Sequence, residues 1–101
     1  MKKIITNKLY NTETAELLAS DSFSGPGNFH YWNEELYMKR TGEFFLYGEG
    51  GPLSHYSKQA DPSGWTSGWD IIPLTNEEAR QWAEHHATIK EYIAIFGEPE
   101  E

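Results

Sequence analysis

Hydrophobic and polar positions change rhythm three times along this chain of 101 residues. Residues 2–6 carry the pair Ile4-Ile5 and predict a short strand, with Asn7-Lys8 as a tight turn and Leu9-Tyr10 pairing back. From 29 to 40 the pattern alternates. Trp32, Leu36 and Met38 fall on one face, and Phe29, Tyr31 and Tyr37 fall on the other with Asn33, Glu35 and Lys39. That predicts a long strand with Glu34 and Glu35 on opposite faces. Thr41-Gly42 is a turn signal, and Phe44, Phe45, Leu46 and Tyr47 follow as one apolar run. Such a run predicts a strand covered on both faces, so residues 29–47 form a central hairpin. Residues 69–74 predict a further strand, which Pro73 places at an edge or a strand end.

Past residue 74 the period becomes helical. Ala79, Trp82, Ala83 and His86 recur at i, i+3, i+4 and i+7, and Thr75-Asn76-Glu77-Glu78 is a capping box in front of them. A second box, Thr88-Ile89-Lys90-Glu91, opens a short helix with Ile89, Tyr92, Ile93 and Phe96 inward and Gly97 at its end. The expected fold class is α+β: a small antiparallel sheet of four to five strands with two C-terminal helices packed on one face. One domain covers residues 1–101, with a frayed acidic tail at 98–101.

Four segments carry weaker patterns. Residues 12–20 fit either a capped helix or a strand, and the strands that follow favour a strand. Residues 21–28, DSFSGPGN, predict a loop. Gly48-Glu49-Gly50-Gly51-Pro52 predicts a strand end, because glycine admits positive φ and proline removes a donor. It is either a binding loop carrying Glu49 or a plain strand exit, which is the commoner use of these residues. Residues 53–68 predict a long loop with one helical turn at 54–59, and loops of that length often carry function. Within it, Trp65 and Trp69 are either a recognition surface or plugs that close the core, and plugs suit a small domain better.

Charge narrows the partners. The chain holds 16 acidic residues against 8 Lys and Arg, net −8. Residues 1–50 are near balance, with 5 basic and 7 acidic residues, whereas residues 51–101 hold 3 basic and 9 acidic ones. An acidic surface repels nucleic acid and anionic membranes and favours basic partners, among which nucleic-acid-binding proteins are the commonest. Acidity also serves solubility alone. The absence of cysteine removes disulfides and thiol chemistry and fits a cytoplasmic protein. No signal peptide and no apolar run near the ~20 residues of a membrane span is visible.

Catalytic patterns are lacking. Glu84-His85-His86 does not match HExxH, no GxSxG exists, and the glycine block fits neither GxxxxGK[ST] nor GxGxxG. Neither an enzyme nor a metal or other cofactor is expected.

One resemblance spans nearly the whole chain. Lys2-Lys3-Ile4-Ile5, Tyr10-Asn11-Thr12-Glu13-Thr14-Ala15-Glu16, the block Gly42-Glu43-Phe44-Phe45-Leu46-Tyr47-Gly48-Glu49-Gly50-Gly51, Ile71-Ile72-Pro73-Leu74-Thr75 with Glu77-Glu78-Ala79, and Ile95-Phe96-Gly97-Glu98 resemble a family of small acidic proteins. These come from plasmids, phages and integrative elements of Firmicutes, and some members are type II-A anti-CRISPR proteins that bind Cas9. The resemblance implies a non-catalytic inhibitor that binds Cas9 or its guide RNA complex. It would act as a nucleic-acid mimic in a basic channel, blocking DNA or guide RNA engagement. The contact residues expected from charge and exposure are Glu49, Asp61, Glu77, Glu84 and Glu91, with Trp65 and Trp69 beside them. The alternative is a regulatory module of a mobile element that binds a peptide, protein or small ligand through the Trp65/Trp69 loop or residues 48–52.

Overall fold

Phe44–Gly50 is the spine of the molecule, and every one of its residues except Glu49 is buried. The computed structural model describes all residues except Pro26 and Ser63. In chain order the strands are β1 (Lys2–Ile5), β2 (Lys8–Asn11), β3 (Glu16–Phe23), β4 (Trp32–Met38), β5 (Phe44–Gly50), β6 (Lys58–Asp61), β7 (Gly64–Thr66) and β8 (Gly68–Leu74). Helices α1 (Asn76–His86) and α2 (Ile89–Phe96) follow. Strands β3-β4-β5-β8 form one antiparallel sheet in that order, while β1-β2 and β6-β7 are separate hairpins. The fold is the expected α+β arrangement, with the central hairpin turning at Thr41-Gly42, where Gly42 has φ +89°.

Side chains alternate along β5, so its continuous apolar run supplies two cores. Phe44 and Leu46 join Leu36 and Ala79 under the helices, with Leu18, Trp82, Ile95 and Phe96 around them. Phe45 and Tyr47 join Tyr10, Tyr37 and Ile71 on the other face, beneath the β1–β2 hairpin. There the Phe45 ring stacks on Tyr37 at 5.3 Å and takes the edge of Tyr10 at 5.5 Å. Such pairs add to the area they bury.

Both capping boxes form. Thr75 Oγ1 accepts from the Glu78 backbone N–H at 3.1 Å and the Glu78 carboxylate accepts from Thr75 N–H at 2.8 Å. Thr88 and Glu91 repeat this at 3.1 and 2.9 Å. Ala79 and Ala83 are buried and Trp82 and His86 half-buried, the predicted stripe of α1. Gly97 caps α2 at φ +88°, and Pro73 lies on the edge strand β8.

The structure departs from the sequence expectations in several places. Residues 16–23 are strand, so β3 takes up the first three residues of the expected 21–28 loop; Pro26 of that loop lies outside the described residues. Strand β4 begins at Trp32, not at Phe29, because residues 28–30 turn. The first hairpin turns at Thr6-Asn7, with φ of 51° and 62°, the positive pair that a two-residue type I′ turn needs. Residues 48–50 continue β5 instead of ending it. Residues 53–68 are not one long loop: a turn at 52–56 leads into the β6–β7 hairpin. Ile89 points away from the core and is 80% exposed, because it stands in the first turn of α2, before that helix reaches the sheet.

Candidate functional site

The most constrained polar group is Glu34. It lies mid-β4 on the helix-facing side and is 7% exposed. Its register partner on β5 is Gly48. With no side chain there, a notch opens in the sheet, and the Tyr56 ring fills it so closely that a Cβ on Gly48 would overlap it. Tyr56 Oη donates to Glu34 Oε2 at 2.5 Å, and Trp82 Nε1, reaching down from α1, donates to Oε1 at 2.9 Å. His55 Nε2 lies 3.3 Å from Oε2. Gly50 and Gly51 serve the same turn, since a Cβ on either would strike Ser54 or the backbone of Phe29 and Tyr31. The glycine block is therefore not a strand end at Gly48: β5 runs on to Gly50, and the glycines at 48, 50 and 51 leave the room in which residues 53–56 fold back against it.

Burial alone would raise the Glu34 carboxyl, but the hydrogen bonds from Tyr56, Trp82 and His55 and the nearby His86 outweigh it. The group is held below the usual carboxylate range. Burial and the Glu34 carboxylate push the Tyr56 phenol well above its ordinary value. Beside this lock, His86 Nδ1 lies 2.9 Å from Asp21 Oδ2, and its ring stacks on Trp82 at 5.0 Å. Both Glu34 oxygens are engaged, so the carboxylate ties β4, the 53–56 turn and α1 together. Among the described residues no three His, Asp or Glu side chains converge as a metal site would require.

The acids and tryptophans expected at a partner surface fall into separate places. Glu77 and Glu84 are exposed on α1; seven positions apart, they share one helix face. Glu91 is half-buried and its carboxylate caps α2. Glu49 shares the opposite face of the sheet with Phe45 and Tyr47 and accepts from Tyr47 Oη at 3.0 Å. Asp61 is exposed on β6. Trp69 is a plug: it packs against the hairpin-side core beside Tyr47, at 6.2 Å between rings. Trp65 on β7 is 60% exposed and plugs nothing. Glu77 and Glu84 therefore belong together, and Glu49 with Trp69 forms a different pair across β5 and β8.

Charge is sorted by layer. Residues 75–101, which hold both helices, carry seven acidic residues against two basic ones, net −5. Residues 1–11, the hairpin on the other face, carry three lysines and no acid, net +3. Two of those lysines pair with acids outside the hairpin, Lys3 with Asp70 at 2.6 Å and Lys8 with Glu43 at 2.9 Å.

The chain has no match. Comparison with protein-family models, with curated proteins and with solved structures finds none. No helix among the described residues is long and apolar enough to cross a membrane. Sequence reasoning missed Glu34 as an anchor. The signal that could have found it is a carboxylate at a helix-facing strand position, which must find partners if it is buried.

Proposed function

We propose that this protein is a non-catalytic binding protein whose acidic helical layer occupies a basic, nucleic-acid-holding surface of a partner. The observation that carries this reading is the sorting of charge: net −5 over residues 75–101 against net +3 over residues 1–11. A layer with exposed Glu77 and Glu84 on one helix face offers repeated anionic groups at fixed spacing, as a phosphate backbone does. Binding of this kind weakens with salt. The family resemblance supplies the target, a type II-A Cas9, whose channel for the guide–target duplex is positively charged. The inhibitor acts by occupancy, without turnover.

The test is co-purification with a Firmicute type II-A Cas9, with and without guide RNA, at low and high salt. A stable complex at low salt that high salt dissolves supports the reading, and competition with guide RNA or target DNA identifies the step that is blocked. No complex under any of these conditions removes Cas9 as the target.

A further inference from the structure

Helix α2 has a sequence that its surroundings do not use. Six of its eight residues are apolar, IKEYIAIF, yet none of the eight is fully buried. A helix apolar nearly all round is normally enclosed. Its sheet side is occupied, since Ile95 and Phe96 pack on the core under the helices. Its other side, Ile89 with Ile93 one turn on, lines an open groove of about 250 Å³ together with Ala83 and Ala87 from the end of α1 and Pro99 from the tail. Ile89, at 80% exposed, is the most exposed of the large apolar side chains.

The size and rim of this groove restrict what fits. Small-molecule pockets run to roughly 300–1,000 Å³ and enclose their ligands, whereas this groove is smaller and open. It has the dimensions for one or two side chains of an apolar helix face, the geometry of helix-in-groove recognition. Glu84 is among its lining residues. Glu98 and Glu100 flank Pro99 in the chain, and Lys90 is the one cation on α2. Charge complementarity therefore selects a cationic segment over an acidic one.

We propose that the groove between α1 and α2 is a docking site for a basic amphipathic segment of a partner protein. The segment seats an apolar anchor against Ala83, Ala87, Ile89 and Ile93 and sets its cations against Glu84 and the acidic tail. The inference rests on the acidic helical layer as the partner surface and adds an apolar anchor to it. Interfaces concentrate their energy in such buried anchors, with charge around them setting rate and orientation.

The experiment is a methyl NMR titration of the full chain with three synthetic peptides of equal length: a Leu/Lys amphipathic helix, a Ser/Lys peptide of the same charge, and a Leu/Glu helix. The Leu/Lys peptide should give saturable shifts at Ala83, Ala87 and Ile93, weakened by salt. The Ser/Lys peptide should bind about ten-fold or more weakly, the loss that withdrawing one or two buried apolar side chains implies. Ile89→Asn, at an exposed site where folding is little affected, should cost a similar factor while leaving the sheet amides unshifted. Equal, salt-sensitive binding of the Ser/Lys peptide would overturn the groove and leave the acidic layer standing. Loss of binding by both basic peptides would count against the acidic layer too. Equal binding of the Leu/Glu helix would overturn the charge selection. Shifts centred on Trp65, or the same methyl shifts arising from protein concentration alone with a doubled mass, would place the groove's role elsewhere and overturn the proposal.

Discussion

The two faces of the four-stranded sheet solve the same packing problem with opposite chemistry. On the hairpin side the core is aromatic, Tyr10, Tyr37, Phe45 and Tyr47 around Ile71. The Tyr37 and Tyr47 hydroxyls of that core end on the Glu35 and Glu49 carboxylates at the rim, at 3.1 and 3.0 Å. Burial, helped by Glu35, pushes the Tyr37 phenol up to about 12. On the helix side the core is mainly aliphatic, and its one buried carboxylate, Glu34, is fixed from three directions. The outer surfaces differ as well: lysines on the hairpin, acids on the helices. Two of the three hairpin lysines pair with acids at the surface, whereas Glu77 and Glu84 of α1 face solvent. The difference separates the two outer surfaces by the sign of their charge: both expose apolar side chains, Ile4 and Leu9 on the hairpin and Ile89 on α2, but the hairpin presents lysines and the helices present acids.

The hairpin-side core can be broken most strongly at Phe45. It is 0% exposed on the hairpin side, and Phe45→Ala should cost about 3–5 kcal/mol of stability, as large-to-small core changes do. Denaturant unfolding measures it. The fraction that stays folded should still present the helical layer.

Gly48→Ala tests the helix side. The added methyl collides with the Tyr56 ring, and overpacking of this kind costs about 1–3 kcal/mol. The cost should shrink when Tyr56 is also replaced by alanine, because the collision and the Tyr56–Glu34 bond are then both gone. A double-mutant cycle reads the coupling. Strict additivity would mean that the notch and the ring are not linked.

Acid titration sharpens the contrast between buried and exposed carboxylates. The Glu34 carboxyl lies below its ordinary 4.5 in the folded protein. The folded state therefore resists protonation more than the unfolded chain does. Glu34 contributes its full stability above about pH 4.5, and that stability is lost as pH falls through the lowered folded value. Glu34→Gln should flatten this acid limb of a stability–pH curve. Removing Asp70, also held below its ordinary range but in an exposed pair with Lys3, should change the curve far less.

The smallest effects belong to the helix caps. Thr75→Ala and Thr88→Ala should each cost about 1 kcal/mol. Thr88→Ala should loosen α2 alone, visible as faster amide exchange at its first turn.

Much of this fold is legible in the amino-acid sequence. The boxes at Thr75 and Thr88, the turn at Thr41-Gly42 and the edge position of Pro73 are local signals, complete within a few residues, and each forms. What is not legible depends on distant residues. The block at 48–51 reads as a strand end because glycine usually signals freedom of φ. Here glycine supplies room for a tyrosine eight positions along, and no local pattern states that. The β6–β7 hairpin escapes a sequence reading because all four residues of β6 are exposed, so no apolar alternation marks it. Ile89 reads as inward because its spacing matches Tyr92, Ile93 and Phe96. The stripe exists, but one end of it has nothing to pack against. The candidate acids are legible as a charge excess, though not as a layout. Only strand parity and the helix layer separate Glu77 and Glu84 from Glu49.

The most direct measurement is binding to the proposed partner, a type II-A Cas9, after neutralising each face in turn, at two salt concentrations. Glu77→Gln with Glu84→Gln should weaken the complex several-fold and flatten its salt dependence, whereas Lys2→Gln with Lys8→Gln should leave it unchanged or slightly tighter. Loss of binding on the lysine side, with the glutamate pair silent, would contradict the helical layer as the partner surface.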